Sequence, residues 1–376
     1  MSDLKLFLDR DWCDKQSRLT NLPILPYARP FLRGTEDDTS YTFYREEVFR
    51  QMESEPMFQS VQDIAEAEAI LMPIDWSRAA RFAPHVEAHY RRLAEQAGLP
   101  LIVTHFSDDD ADVPGDDIIV IRNSKVRSAL RRNEIICPPA VRDIRTEGEF
   151  PILDRPAEPT VGFVGQIQKR TDLSLKRLLI PYGRRDRLYS LLSISDPRFY
   201  RKCSGHYLRD RTMDTLQSTV GIRCSFIRRP FYGRAPEVQT VRDHAALRHE
   251  FVDNLENNLY LLTVRGLGNY SFRFYEILAG GRIPLFVDTD CPLPLANEID
   301  YGAFCLFVDA ADLKQIGARL LGFHRAASPQ QVRDMQEKAL RTFQEKLRFD
   351  VFCRRLFRET LPAILHRKTL SSVETA

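Results

Sequence analysis

Short apolar runs that alternate with helical segments characterise the chain from about residue 69 onward. Four of these runs predict buried strands, at residues 69–74, 101–104, 118–121 and 134–137. The spacing between the first two runs predicts a helix over residues 77–97, with Ser77 as its N-cap and Gly98 as its end. Buried strands that alternate with helices indicate an α/β domain with a largely parallel sheet.

A polar, proline-containing connection interrupts this series at residues 143–159. Beyond it, apolar runs predict five more strands, at residues 160–164, 222–227, 259–264, 283–287 and 304–308. Helical spacing is found at residues 244–257, 272–278, 312–323, 330–347 and 353–361. We therefore predict two α/β domains, residues 1–155 and 156–347, followed by a helical segment at residues 348–376.

The amino-acid composition argues against several classes of function. The balance of 54 basic and 52 acidic residues argues against general nucleic-acid binding. The seven cysteines form no Cys-x-x-Cys pair, so we expect reduced thiols rather than a zinc ribbon. No run approaches the roughly 18 apolar residues of a membrane span, and no signal peptide is evident. We expect a cytoplasmic protein, with Arg184 to Arg187 as either a candidate contact for anionic lipid or acceptor, or a solvated surface.

The segment from Leu261 to Glu276 carries the clearest chemistry. A buried strand runs into a turn that contains Gly266 and Gly268, and the turn runs into a helix that Ser271 is placed to cap. Glycines let the backbone approach a ligand closely, and a helix N-terminus offers unpaired amides and a partial positive charge to an anion. This arrangement predicts an anion site at the turn.

Two charged side chains follow on one face of that helix. Arg273 supplies a guanidinium fork suited to phosphate. Glu276 lies three residues further on and could accept hydrogen bonds from two ribose hydroxyls. Together these features predict a site for a nucleotide diphosphate. The alternative is a plain turn followed by a surface ion pair between Arg273 and Glu276.

Residues 271–288, Ser-Phe-Arg-Phe-Tyr-Glu-Ile-Leu-Ala-Gly-Gly-Arg-Ile-Pro-Leu-Phe-Val-Asp, resemble the signature of exostosin-like glycosyltransferases. The resemblance extends upstream over residues 251–266, and it includes residues 163–165 and 293–294. The family usually has proline where this chain has Arg265 and cysteine where it has Arg282. Arg265 would add charge beside the phosphates, whereas Arg282 has no functional explanation in the sequence.

The resemblance implies the type B glycosyltransferase fold (GT-B): two facing Rossmann-like domains with the active site in the interdomain cleft. It also implies that residues 348–362 cross back to the first domain. The second domain would hold a UDP- or GDP-linked sugar, and the first would present a glycan, a lipid-linked glycan or a protein acceptor. Lys169 and Arg170 follow the first strand of the second domain and could neutralise the diphosphate. The full set of candidate donor-binding residues is Gly165, Lys169, Arg170, Arg265, Gly266, Gly268, Asn269, Ser271, Phe272, Arg273 and Glu276.

The catalytic base is expected in the first domain, where polar residues follow two predicted strands. Asp108 and Asp109 are the first candidates, and His105 and Asp75 are the next ones. Their alternative is a solvated acidic loop. We expect an inverting transfer without a metal or other cofactor. Two rival hypotheses remain: a glycan-binding or partner protein without catalysis, and a metal-dependent transferase that uses Asp288 and Asp290.

Overall fold

The computed structural model describes residues 3–9, 57–167, 181–229 and 241–374. The chain forms two compact units. The first comprises residues 1–125, 129–142 and 346–376, and the second comprises residues 126–128 and 143–345. Each unit holds one parallel sheet with helices packed on it. This confirms the prediction of two Rossmann-like α/β domains. The division at residues 142 and 143 lies at the start of the polar connection.

The sheet of the first unit contains six described strands, β1 (Lys5–Phe7), β2 (Gln59–Val61), β3 (Ala69–Leu71), β4 (Leu101–His105), β5 (Ile119–Arg122) and β6 (Glu134–Ile136). Their order is β2-β1-β3-β4-β5-β6, and every pairing is parallel. The central strands β3, β4 and β5 are buried along their whole length. A strand covered on both faces has no side chains that point to solvent, so polar and apolar residues do not alternate along it. These strands are therefore continuous apolar runs in the sequence.

The predicted helix over residues 77–97 is two helices, α1 (Trp76–Phe82) and α2 (Pro84–Ala97). The break occurs because Pro84 has no amide hydrogen to donate and its ring excludes a continuous helix. Ser77 was also the wrong N-cap, since the side chain of Asp75 accepts from the Ser77 amide and so caps α1. Gly98 ends α2 as predicted, in the left-handed conformation at φ 63°.

The second unit contains five described strands, β7 (Thr160–Gln166), β8 (Arg223–Arg229), β9 (Tyr260–Thr263), β10 (Ile283–Asp288) and β11 (Leu306–Asp309). Their order is β11-β10-β9-β7-β8, again wholly parallel. The helices are α3 (Pro181–Leu192), α4 (Gly205–Gln217), α5 (Val241–Glu256), α6 (Phe272–Ala279), α7 (Ile316–Ala326) and α8 (Pro329–Thr342).

The strand order of the second unit reverses at β7. The chain moves from β7 to β8 on one side and then to β9 on the other side, so β7 and β9 flank the switch point. Open α/β sheets bind their ligands at this point, beyond the carboxyl ends of the strands. Gln166 and Thr263 are the last residues of the two strands, and the segments that follow them are therefore placed to form a site.

Several helix boundaries differ from the predictions. The predicted helix at residues 312–323 begins as a 3₁₀ segment over Ala310–Gln315, because Asp312 departs from helical backbone geometry at φ −100° and ψ 16°. Helix α8 passes into a π-helical turn at Phe343–Leu347. The C-terminal segment contains α9 (Phe349–Arg355) and α10 (Leu361–Glu374), so helix extends beyond the helical spacing seen at residues 353–361, within the predicted helical segment. No helix in the described ranges is long and apolar enough to cross a bilayer.

Arg282 has a structural role that the sequence did not reveal. Its guanidinium is fully buried and donates to the carbonyls of Leu255 and Glu256, at 3.0 Å each, where α5 ends. It also donates to the carbonyls of Pro151, at 2.9 Å, and Gly280, at 3.1 Å. The last carbonyls of a helix have no partner within the helix, so Arg282 supplies the missing donors. Burial lowers the pKa of this guanidinium to about 10.

Replacing Arg282 by methionine is expected to lower the free energy of unfolding by about 2 kcal/mol, because buried carbonyls lose their donors. Scanning calorimetry measures this loss. Arg325→Met is the matched control, since Arg325 is exposed in the same unit. Equal melting temperatures for the two variants would contradict the capping role.

Candidate functional site

The turn after β9 is held in place by Asn269. The Gly266 amide donates to the Tyr270 carbonyl at 2.9 Å, which closes the turn. The buried Asn269 side chain donates to the carbonyls of Thr289 and Asp290, and its Oδ1 accepts from the Thr289 hydroxyl at 2.6 Å. Asn269 therefore joins the turn after β9 to the turn after β10, and fixes the backbone around Gly268.

Ser271 is the N-cap residue of α6, as predicted from the sequence, and its backbone is extended. Its side chain makes no capping hydrogen bond. The amides of the first turn are thus not capped by Ser271. Phe272 and Leu267 are exposed beside this helix start, and the Tyr270 and Phe272 rings lie 5.6 Å apart.

Arg273 reaches from α6 to the carboxyl end of β7. Its Nη2 donates to the Val164 carbonyl, and its guanidinium lies 4.2 Å from the centre of the Phe163 ring. A Cβ atom at Gly165 would lie 2.7 Å from Nη2 of Arg273. A side chain at position 165 would displace this guanidinium, so two residues singled out in the sequence, Gly165 and Arg273, meet at the switch point.

Arg209 of α4 places a second guanidinium at the same point, and no sequence pattern indicated it. It donates to the Gln166 carbonyl at 3.1 Å and to the Arg265 carbonyl at 2.9 Å. It therefore bridges the segments that follow β7 and β9. Its guanidinium lies 5.9 Å from the centre of the Phe163 ring, so this ring has an arginine from α4 and an arginine from α6 beside it.

Glycine is required at a second close approach, where α4 begins. A Cβ atom at Gly205 would lie 2.3 Å from the Arg265 carbonyl oxygen and 2.4 Å from that of Gly266. The first turn of α4 therefore packs directly on the turn after β9.

Cys203 lies just before α4. Burial and the Asp186 carboxylate raise the pKa of its thiol to about 12, although the Arg265 guanidinium acts in the opposite direction.

Glu276 is held by a different arginine from the one that the sequence suggested. Its Oε1 accepts from Arg248 of α5 at 2.7 Å, and Arg248 also donates twice to Glu147, at 2.8 Å and 2.6 Å. Glu276 is only 8% exposed. The hypothesis of a surface ion pair between Arg273 and Glu276 is therefore wrong, because Glu276 is nearly buried and pairs with Arg248.

Lys169 and Arg170 lie outside the described residues, so their predicted contact with the diphosphate stays a prediction.

Asp288 and Asp290 are engaged by a neighbouring segment of the second unit. Arg127 approaches the Asp288 carboxylate at 2.8 Å and the Asp290 carboxylate at 3.3 Å. The Ser128 amide and hydroxyl both donate to Asp290, whose backbone has a positive φ of 61°. Within the described part of the chain, no group of three or more His, Cys, Asp or Glu side chains is arranged to hold a metal ion. The contacts of these two aspartates are those of an ion-paired turn.

Among the candidate carboxylate bases of the first unit, Asp75 is the most enclosed. One of its carboxylate oxygens accepts from the Ser77 amide and hydroxyl, at 3.1 Å and 2.5 Å. The other accepts from the Phe106 amide at 2.7 Å and from the Thr104 hydroxyl at 3.3 Å. Both oxygens are thus occupied in capping α1 and joining it to the end of β4.

His105, the last residue of β4, pairs with Asp109 of the loop that follows. Nε2 of the buried His105 lies 3.0 Å from Oδ1 of Asp109. Burial lowers the pKa of His105, and the nearby Arg122 guanidinium lowers it further. Burial acts to raise the pKa of Asp109, but hydrogen bonds from the Ser107 hydroxyl and the Ala111 amide bring it below its ordinary value. Asp108 is exposed in the same loop.

Comparison with solved structures finds weak likenesses to glycosyltransferases. HepE of Anabaena, solved with UDP and glucose, is 12% identical at a TM-score of 0.40, with 96% of this chain and 99% of that chain covered. A glycosyltransferase from Rickettsia africae is 9% identical at 0.40, with 94% and 97% covered. TarM is 9% identical at 0.31, with 66% of this chain and 48% of TarM covered.

This chain therefore spans about half the length of TarM. No protein-family model matches the chain, and a search of curated proteins found no match. The structure itself defines the class of protein: it consists of two Rossmann-like α/β units.

Proposed function

We propose that this protein is a glycosyltransferase of the exostosin-like kind, which binds a UDP- or GDP-linked sugar on its second unit. The observation that carries the proposal is the meeting of Arg209 and Arg273 at the switch point between β7 and β9. Both guanidinium groups lie beside Phe163, and Gly165 leaves room for one of them. The place is where α/β sheets bind nucleotides, and the two charges suit a diphosphate.

The diphosphate is also where charge develops during transfer. As the bond between the sugar and the phosphate breaks, its electron pair passes to a phosphate oxygen of the leaving nucleotide. Donors that are already oriented toward that oxygen stabilise the transition state without reorganisation. Arg209 and Arg273 are proposed to act in this way, because backbone carbonyls of Gln166, Arg265 and Val164 fix their guanidinium groups.

Glu276 is proposed to bind the ribose. Arg248 holds Oε1 of this carboxylate, and Glu147 in turn holds Arg248 by two hydrogen bonds. This chain of charges orients the carboxylate before any ligand arrives, so that Oε2 can accept from ribose hydroxyls. A preoriented group binds a ligand with less loss of entropy than a mobile one.

The acceptor is proposed to be a hydroxyl of a glycan, a lipid-linked glycan or a protein. That hydroxyl attacks the anomeric carbon from the face opposite the leaving diphosphate, so the configuration inverts, and no metal takes part. A base must accept the hydroxyl proton. We assign this role to the segment from His105 to Asp109 rather than to Asp75, because Asp108 and Asp109 are exposed whereas Asp75 is buried.

A glycan-binding protein without catalysis is the second candidate function. It is favoured by one observation: His105, the only histidine among the candidate bases, is buried and paired with Asp109. Such a protein would bind glycans but would not consume a nucleotide sugar. Release of nucleotide from its sugar, measured with and without acceptor, distinguishes the two functions.

The donor proposal predicts selective binding of nucleoside diphosphates. Calorimetric titration with UDP, GDP and ADP is expected to show binding of at least one of them. The matching monophosphate is expected to bind about tenfold more weakly, because it lacks the second phosphate and the guanidinium contacts that this phosphate would make. The corresponding nucleotide sugar is expected to raise the melting temperature. If none of the three diphosphates binds, the donor site is wrongly assigned.

A further inference from the structure

Three apolar side chains form an exposed stripe on the second unit. Leu188 and Leu191 lie on α3 with exposed fractions of 54% and 65%, and Ile194 follows at 82%. The Ile194 amide donates to the Leu191 carbonyl at 3.1 Å, so the chain continues to turn beyond the end of α3. Residues three apart on a helical turn lie next to one another. Leu188, Leu191 and Ile194 therefore make one continuous apolar strip, which we call the α3 stripe.

Two cations are held next to the α3 stripe by a pair of aromatic rings. Tyr189 and Phe199 stack with their ring centres 6.2 Å apart and their planes 16° apart. The Arg185 guanidinium lies 5.3 Å from the centre of the Tyr189 ring. The Lys202 ammonium lies 5.3 Å from the centre of the Phe199 ring. Contact with aromatic faces orients both charges, and Arg185 and Lys202 are exposed.

The acidic residues of this segment do not cancel those charges. Asp186 is buried, where it accepts from the Ser204 amide at 2.7 Å and from the Ser204 hydroxyl at 2.6 Å. Asp196 is paired with Arg198. From Arg184 to Lys202 the sequence has six basic residues against these two acidic ones, and one of the six, Arg201, pairs with Asp309 outside the segment. The segment is therefore strongly basic, although the whole chain is nearly neutral.

We propose that the α3 stripe and its basic neighbours bind the surface of an anionic lipid bilayer. Exposed leucine and isoleucine side chains would enter the boundary between headgroups and acyl chains, and arginine and lysine would contact anionic headgroups. Tyrosine and phenylalanine are suited to the same interfacial depth, since aromatic rings concentrate there. The combination of apolar exposure and local positive charge identifies lipid as the occupant, because both of its parts, acyl chain and anionic headgroup, are matched.

The proposal is independent of the donor site. Arg209, Arg273 and Glu276 lie outside the α3 stripe and its basic neighbours, and a loss of lipid binding need not change nucleotide affinity. The two functions can therefore fail separately. Membrane binding by this segment would bring the protein to lipid-linked acceptors, if the proposed transferase function holds.

Co-sedimentation of the full chain with vesicles tests the proposal. Binding is expected to phosphatidylcholine vesicles that contain phosphatidylglycerol, with little binding to phosphatidylcholine alone, and is expected to weaken as salt increases. The triple variant Leu188→Ser, Leu191→Ser, Ile194→Ser is expected to reduce the partition coefficient at least about tenfold. The double variant Arg185→Gln, Lys202→Gln is expected to reduce both the binding and its dependence on salt.

Val220→Ser is the matched control, since Val220 is 93% exposed in the same unit but outside the α3 stripe. It is expected to bind like the unaltered chain, and all variants are checked by thermal melting. Equal binding to both kinds of vesicle, or unchanged binding by the triple variant, would overturn the proposal. So would dimerisation, seen by light scattering and abolished by the triple variant, in a chain that binds no vesicles, since a second copy would then cover the stripe.

Discussion

Arg273→Gln is expected to weaken nucleoside diphosphate binding about 100-fold, which corresponds to about 2.7 kcal/mol. Glutamine keeps part of the side-chain length but loses the charge and the fork of the guanidinium. Hydrogen bonds to charged groups contribute about 1.5–3 kcal/mol each, so losing the charge-assisted contact to a phosphate accounts for a change of this size. Calorimetric titration with the nucleotide that the unaltered chain prefers measures it.

Two further variants separate phosphate binding from packing. Arg273→Lys keeps the charge without the fork, and it is expected to recover part of the lost affinity. Arg319→Gln removes an exposed arginine of the same unit that pairs with Asp312, and it is expected to bind as the unaltered chain does. Arg273 also covers Phe163, so each melting temperature is recorded. Unchanged affinity in a folded Arg273→Gln protein would refute the donor site.

Glu134→Gln is expected to destabilise the first unit by about 3–5 kcal/mol, because it leaves a buried positive charge without its partner. Glu134 and Arg122 are both fully buried at the side chain, with 2.6 Å between Oε1 and Nη1. Lys125 lies 3.9 Å from the same carboxylate and is also buried. Glutamine keeps the shape of glutamate, so the loss comes from charge rather than from a cavity.

Urea unfolding followed by tryptophan fluorescence measures this loss. Trp76 belongs to the first unit, and the other tryptophan of the chain, Trp12, lies outside the described residues. Glu359→Gln makes the same chemical change at an exposed ion pair of that unit, and it is expected to cost about 1 kcal/mol or less. Replacing both partners, with Arg122→Met and Glu134→Leu, is expected to recover most of the stability. A single Glu134→Gln change that costs no more than Glu359→Gln would contradict the prediction.

The strands of both sheets could be predicted because their burial leaves a direct trace in the sequence. A strand covered on both faces is apolar at every position, as β4 and β5 are. The break between α1 and α2 was missed because the apolar spacing continues across Pro84. Pro84 nevertheless interrupts the helix, because a missing amide hydrogen breaks a helix whatever its apolar face.

The site was predictable only where its residues are neighbours along the chain. The turn after β9 and the start of α6 follow one another directly, so Gly266, Ser271 and Arg273 could be recognised together. Arg209 contacts the Arg265 carbonyl from 56 residues away, and Arg127 contacts Asp288 from 161 residues away. No local spacing encodes such contacts, because they are created when helices pack on the sheet and distant turns meet.

The first unit is assembled from stretches that are far apart along the chain, and this affects the order in which the two units fold during synthesis. Because this unit includes residues 346–376, it cannot be completed until the last helices have left the ribosome. The second unit, apart from residues 126–128, is one continuous stretch that ends at residue 345. Domains generally fold as units in the order in which they are completed, so the second unit is expected to fold first although most of the first unit is translated earlier.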